Sequence, residues 1–243
     1  MNMIETRNLT RKYGEKTAVN ELSLTIGEGE LFALLGVNGA GKTTTIRMLS
    51  CLSRPTSGEA FVDGHSCTGE SKAVKQVIGL SPQDTAVADH LSVRENLEFM
   101  AAVYGCDRDE VKARADRIIA EFHLEEVEHQ RAQTLSGGWK RKLSIAMALI
   151  SNPKVLFLDE PTLGLDVLAR RELWREIEKL KEKMTIVLTT HYMEEAEHLS
   201  DRIAIMIAGR IAAVGTLAEI LEKGGTDNLE DAFVAIAEKE GIA

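Results

Sequence analysis

The 243-residue chain carries 29 Lys and Arg against 38 Asp and Glu, a net charge of −9, with 44% hydrophobic and 28% charged residues, which fits one ordinary soluble domain. The apolar runs fall short of the roughly 20 residues a membrane span needs, and Met1 to Arg11 has no apolar leader stretch, so a cytoplasmic location is expected. The acidic balance argues against a nucleic-acid binder, because phosphate neutralisation needs clustered Lys and Arg. The densest basic cluster, Lys140-Arg141-Lys142, reads as a solvated helix face. Cys51, Cys67 and Cys106 are odd in number and form no CxxC pair, so neither a disulfide framework nor a zinc knuckle is expected.

In chain order, Ile4 to Tyr13 and Ala18 to Ile26 read as strands, the second with Leu22, Leu24 and Ile26 alternating against Ser23 and Thr25, and Leu31 to Leu35 reads as a fully buried strand. An antiparallel β layer is expected to open the fold. The pattern then becomes strand, glycine-rich turn and helix (Lys42 to Ser50), followed later by Val155–Leu158, a helix over about 167–183, and Thr185–Leu188. Alternating buried strands and amphipathic helices imply a parallel sheet covered on both faces. Between about 84 and 133 the apolar spacing is helical, with Leu97, Met100, Ala101 and Tyr104 followed by Val111, Ala115, Ile118, Ile119 and Phe122, predicting a helical subdomain inserted into the α/β core. The tail adds short strands at Ile203–Met206 and Arg210–Val214, a helix opened by Thr216, and another over about 229–237.

Three motifs carry chemistry. Gly36-Val37-Asn38-Gly39-Ala40-Gly41-Lys42-Thr43-Thr44 follows an apolar strand and opens a helix, the context a P-loop requires. Its glycines let consecutive N–H groups face a phosphate, Lys42 reaches the β and γ phosphates, and Thr43 offers a hydroxyl to magnesium. Val155 to Leu158 ends in Asp159-Glu160, two carboxylates at the carboxyl end of a buried strand, where open α/β sheets bind ligands. As a Walker B element, Asp159 would hold the magnesium shell and Glu160 would orient or deprotonate the attacking water. Leu135-Ser136-Gly137-Gly138 precedes a basic amphipathic helix; taken alone, it is a helix start with a serine cap.

The serine-glycine motif, its place before Asp159 and the helix between them together resemble the ATP-binding-cassette ATPases, over about residues 4–237. The resemblance implies an α/β P-loop NTPase fold in one nucleotide-binding domain over 1–243, with a RecA-like core at about 1–83 and 152–215, a helical subdomain at about 84–151 and C-terminal helices at about 216–243. It implies ATP and Mg²⁺ as ligands. Tyr13 matches the aromatic that stacks on adenine, Gln83 the glutamine that senses magnesium and the attacking water, Asp166 the aspartate that crosses the dimer interface, and His191 the histidine that contacts the γ-phosphate. Leu135, Ser136, Gly137 and Gly138 match the signature that binds the γ-phosphate held by the opposite subunit. The family works as a head-to-tail dimer around two ATP molecules. A second copy of this chain or a related cassette is therefore an implied partner.

The variants Gly-Val-Asn-Gly-Ala-Gly-Lys-Thr-Thr-Thr at 36–45, Gly-Leu-Asp at 164–166 and His-Tyr-Met-Glu-Glu-Ala-Glu at 191–197 look most like cassettes paired with exporter permeases for drugs, lipids, polysaccharides or sodium. A separate transmembrane permease is then the second implied partner, holding the cassette at the inner face of the cell membrane. The alternative is a cassette serving a soluble assembly or regulatory partner. One departure from the family stands inside the signature, where Trp139 replaces the commoner glutamine near the opposite nucleotide's ribose. Trp174 reads as helix packing, and His65, His90, His123, His129 and His198 show no ligand spacing.

Overall fold

A computed structural model describes residues 2–239. β1 (Asn2–Tyr13) and β2 (Lys16–Gly27) pair antiparallel, Ile4 opposite Ile26 and Tyr13 opposite Lys16. Leu22, Leu24 and Ile26 of β2 are buried and Ser23 and Thr25 exposed, the alternation of a sheet with one covered face. β3 (Leu31–Leu35) leads into α1 (Lys42–Leu49), followed by β4 (Ser57–Val62), β5 (His65–Ser66), α2 (Ser71–Val77) and β6 (Ile78–Ser81). Three helices come next: α3 (Val93–Val103), α4 (Arg108–Glu121) and α5 (Gly137–Leu149). The chain then runs through β7 (Val155–Asp159), α6 (Val167–Lys181), β8 (Thr185–Thr190), α7 (Met193–Leu199), β9 (Arg202–Ile207), β10 (Arg210–Gly215), α8 (Leu217–Gly224) and α9 (Leu229–Lys239).

The strands form two sheets, a four-stranded one ordered β2-β1-β4-β5 and a six-stranded one ordered β10-β9-β3-β8-β7-β6. In the larger sheet β9, β3, β8, β7 and β6 are parallel and β10 is antiparallel to β9. Every residue of β3, β7 and β8 is buried, as expected for parallel strands covered on both faces. Successive side chains divide between two cores. Phe32, Leu34, Val155, Phe157 and Val187 pack toward α1 and the antiparallel layer, while Leu31, Ala33, Leu35, Leu156, Leu158, Ile186 and Leu188 pack toward the helices.

The helix starts follow local chemistry. Ser92 with Glu95, Asp107 with Glu110 and Thr216 with Glu219 form reciprocal capping boxes at α3, α4 and α8, each satisfying two otherwise orphaned N–H groups. The strand β4 was not expected, because only Ala60 and Val62 of its six residues are buried and the alternation is too short to read. One expectation is corrected: Arg141 and Lys142 are only 4% and 5% exposed, so 140–142 is not a solvated face. Arg141 is buried against the segment after β6, and Lys142 pairs with Glu172 of α6 at 2.7 Å.

β6 runs very close to α5. A Cβ on Gly79 would lie 2.3 Å from the Ala148 carbonyl oxygen, closer than any relaxed contact. Gly79→Ala therefore forces the strand and helix apart and is expected to destabilise the fold by about 1–3 kcal/mol, the range for overpacking, read as a lower urea midpoint at unchanged m-value.

α6 and α7 meet through a buried polar pair, the Trp174 indole N–H donating to Glu195 Oε1 at 3.1 Å. Burial pushes the Glu195 carboxyl above its usual range, opposed by the nearby Thr190 and Thr162 hydroxyls and the Trp174 N–H. The folded protein thus holds this proton at a pH where the unfolded chain has lost it, so stability falls as pH rises above the ordinary value of 4.5. Glu195→Gln keeps the acceptor for Trp174 and removes that titration. Its urea midpoint should gain on wild type as pH is raised from about 4.5 to 7; a constant offset across that window would mean Glu195 is ionised in the fold.

Candidate functional site

The carboxyl ends of β3, β7 and β8 lie side by side, with Leu35 in register with Thr190 and Asp159 with Thr189. The loops leaving these ends therefore meet at one place. The loop after β3 turns at Gly39 (φ 83°) and Gly41 (φ 109°), values that non-glycine residues rarely adopt. Packing also demands glycine: a Cβ at Gly36 would come 2.4 Å from the Met206 carbonyl oxygen, and one at Gly41 would come 2.4 Å from that of Ala18. This tight turn brings backbone N–H groups and the N-terminus of α1 to the surface as an anion cradle.

Lys42 is 4% exposed and folds back over the loop, its Nζ donating to the Gly36 and Val37 carbonyls at 2.7 and 3.2 Å. It also lies 3.3 Å from Glu160 Oε1. On the other side Glu160 Oε2 is 3.0 Å from His191 Nδ1, a close contact without hydrogen-bond geometry. Glu160 has a left-handed backbone (φ 49°) and its N–H donates to the carbonyl and hydroxyl oxygens of Thr189 at 3.1 and 3.0 Å. A non-glycine residue in this region is held there by its surroundings. Here that constraint aims the carboxylate between Lys42 and His191.

Asp159 is buried and accepts from the Thr43 hydroxyl at 3.0 Å and the Thr189 hydroxyl at 2.6 Å. Together Thr43 and Asp159 bring hard oxygen donors to one point, chemistry that fits magnesium. Among the described residues no cluster of three or more His, Cys, Asp or Glu could hold a metal ion by itself.

Tyr13, Asn38, Gly39, Ala40, Gly41, Lys42, Thr43, Thr44, Gln83, Glu160 and His191 line one cleft of about 460 Å³, adequate for a nucleotide. Tyr13 is 46% exposed, with the Arg11 guanidinium over one ring face, 4.5 Å from the centroid. Gly36 is buried beneath the loop. A larger hollow of about 970 Å³, lined by Gly29, Asp63, Lys154 and Thr185, sits at the opposite, amino ends of β3, β7 and β8. It lacks the cradle and the paired carboxylates, so size does not locate the chemistry.

The remaining expected residues do not line this cleft. Leu135 is buried, and Ser136 caps α5, its Oγ accepting from the Trp139 N–H at 3.4 Å. Ser136 and Gly137 are exposed, and Ser136, Gly138 and Trp139 line a separate small cleft with Lys142, Ala169 and Glu172. Asp166 caps α6 by accepting from the Leu168 and Ala169 N–H groups at 2.9 and 3.0 Å. Thr189 was missed because its β-branched side chain reads as an ordinary strand residue. The signal that finds it is its register opposite Asp159, which sequence alone does not give.

The sequence model of the ABC transporter family matches residues 19–163. The chain is 41% identical over 221 residues to the daunorubicin resistance ATP-binding protein DrrA3 of Streptomyces coeruleorubidus, covering 90% of this chain and 70% of that protein. It is 40% identical to the linearmycin resistance ATP-binding protein LnrL of Bacillus subtilis, covering 93% of this chain and 73% of that one. Among solved structures, the dimeric post-hydrolysis state of the ATP-binding cassette MJ0796 bound to ADP and Pi matches with a TM-score of 0.80 and 28% identity, over 88% of this chain and 99% of that one. The α/β P-loop fold, the cleft built on Lys42, Asp159 and Glu160, and these relatives agree: the chain belongs to the ABC transporter family and is an ATP-hydrolysing cassette.

Proposed function

We propose that this cassette closes head to tail with a second copy or a related cassette around two Mg-ATP, and thereby drives a separate membrane permease, in the export direction. The observation that carries this reading is the division of the site. The phosphate cradle, Glu160 and His191 share one cleft, with Asp159 buried behind Thr43, while Ser136 and Gly138 lie at another surface of the same chain. Each chain thus presents two complementary halves, and a head-to-tail pair joins them twice.

In this mechanism Tyr13 stacks on the adenine, and the N–H groups of the Gly36–Thr44 loop with Lys42 bind the phosphates. Thr43 and Asp159, with Gln83 at the cleft wall, would hold magnesium, which supplies positive charge to the β and γ phosphate oxygens. Lys42 exchanges its contact with Glu160 for phosphate oxygens. The released Glu160 carboxylate accepts the proton of a water directed at the γ-phosphorus, with His191 beside it to hold the carboxylate and the phosphate edge. From the opposite chain, Ser136 and the Gly137 and Gly138 N–H groups at the start of α5 complete the cage, and Asp166 lies at the crossing.

The permease side is supported by an apolar hollow of about 420 Å³ lined by Leu52, Ile78, Leu80, Met100, Val103 and Tyr104. Leu52 and Val103 are 60% and 63% exposed there, so the hollow offers large side chains to a short helix of a membrane partner. It adjoins the segment 82–86 that leads from Gln83. No helix among the described residues is long and apolar enough to cross a membrane. Export follows the naming of DrrA3 and LnrL as resistance proteins.

Capture of the tagged chain from mildly solubilised native membranes should bring down a multispan protein at near-equal stoichiometry. Soluble partners alone, with the chain absent from membranes, would instead support an assembly or regulatory cassette. Glu160→Gln should slow steady-state phosphate release by ~100-fold or more while ATP still binds, as loss of a general base does; hydrolysis at the wild-type rate removes Glu160 from that role. Lys42→Ala should weaken ATP binding by the single chain roughly 10- to 100-fold, the worth of a charge-assisted hydrogen bond. An unchanged affinity would assign phosphate binding to the loop N–H groups alone.

A further inference from the structure

α5, the helix that Ser136 opens, lies along β6 and the segment that follows it, joined by contacts at helical spacing. At one end Gly79 passes against the Ala148 carbonyl, where a Cβ would approach to 2.3 Å. In the middle the Ser81 and Ser144 hydroxyls, both buried, are 2.9 Å apart. At the other end the Arg141 guanidinium donates through Nη1 to the Pro82 carbonyl at 2.7 Å and through Nη2 to the Gln83 carbonyl at 2.6 Å. Arg141, Ser144 and Ala148 stand at i, i+3 and i+7, one face of the helix.

The first two contacts grip β6 inside the sheet. The third acts past the strand's end, where β6 stops at Ser81 and Gln83 lines the nucleotide cleft. Arg141 is 4% exposed, and its charge is answered at longer range by Asp159, Asp84, Glu195 and Glu160. Burying a guanidinium is costly unless it is fully hydrogen-bonded, and an apolar side chain would fill the space at lower cost. What the guanidinium adds is a planar fork that fixes two consecutive carbonyls, a geometry a lysine ammonium does not reproduce.

We infer that Arg141 is a positioning residue for ATP hydrolysis, clamping the main chain of Pro82 and Gln83 to the signature helix so that the Gln83 side chain and the Ser136–Gly138 cap move as one body. Arg141 follows Ser136 by five residues, about 7.5 Å along the helix, so a displacement of the cap on meeting the partner's nucleotide reaches Gln83 through little more than one turn. The inference rests on the reading of Gln83 as part of the hydrolytic site.

The test is a double-mutant cycle in the full chain with Gln83→Ala, Arg141→Lys and their combination, measuring ATP affinity of the single chain, kcat and KM for phosphate release, and thermal unfolding. Arg141→Lys keeps the charge and should leave ATP affinity and KM within about twofold while lowering kcat about tenfold, the pattern of an interaction used only in the transition state. Because Arg141 acts through Gln83, the double variant should be no slower than Gln83→Ala alone. Arg141→Met, should it fold, should lower kcat at least as far as the lysine variant; a folded methionine variant with wild-type kcat would reduce Arg141 to packing and overturn the inference. Kinetic effects that multiply in the double variant, or a wild-type kcat for Arg141→Lys, would overturn it as well. Wild-type kcat for Gln83→Ala would instead overturn the reading of Gln83 and, with it, this inference.

Discussion

Everything at the phosphate end of this molecule depends on one oxygen, Oδ1 of Asp159. It accepts a hydroxyl from Thr189 on the neighbouring strand at 2.6 Å and another from Thr43, 116 positions away in the chain, at 3.0 Å. A carboxylate this buried costs several kcal/mol if left unpaired. The two hydroxyls therefore fix the first turn of α1 against the ends of β7 and β8. That single constraint also sets Glu160: Thr189 receives its N–H through both carbonyl and hydroxyl oxygens, which holds the next residue in its left-handed conformation.

The second feature of the cleft is its charge balance. Lys42 has two loop carbonyls and Glu160 around its ammonium group, while Glu160 faces Lys42 and His191 together. Buried ion pairs tend to break even against their desolvation cost, so the pair stores little energy that a triphosphate must overcome. On the mechanism proposed above, Lys42 exchanges one set of oxygens for another, while the Glu160 carboxylate loses its cation and is freed to face the attacking water at the moment a phosphate is bound. One pair of residues thereby links occupancy of the cradle to readiness of the base.

How far this could be read from the sequence follows from the length scale of each signal. β3, the P-loop and α1 were legible because a buried strand, glycine spacing and a helix start are all local. Both 12-residue strands were legible, β2 from its alternation; β1 starts two residues before its expected limit, and β2 extends its own by two residues at the start and one at the end. β4, β5 and α2 were not, because these short elements gain their order from their surroundings: β4 pairs with β1, β5 with β4, and Gly58 lies so close to β1 that a Cβ would strike the Asn8 carbonyl oxygen at 2.2 Å. Arg141 shows the same limit at the level of one side chain. In sequence it sits in a basic triplet, and only the packing of α5 on β6 turns it inward.

Trp139, the departure within the signature, is engaged by its own chain. Its ring lies 4.9 Å from Lys142 Nζ, and that ammonium pairs with Glu172 of α6 at 2.7 Å. Lys142 is therefore neutralised within the chain, by a carboxylate on one side and an aromatic face on the other. On the head-to-tail pairing proposed above, the positive potential offered to the opposite phosphate at this end of α5 then comes from the helix N-terminus itself, through the exposed Ser136 and Gly137. In that pairing the edge of this indole, packed against Lys142, is part of the surface that a second copy meets. The same α5 thus carries a packed ring at its first turn, a buried lysine pinned to α6 and a buried arginine pinned to the segment bearing Gln83. A partner that docks on its N-terminus meets a helix already tied to both flanking elements.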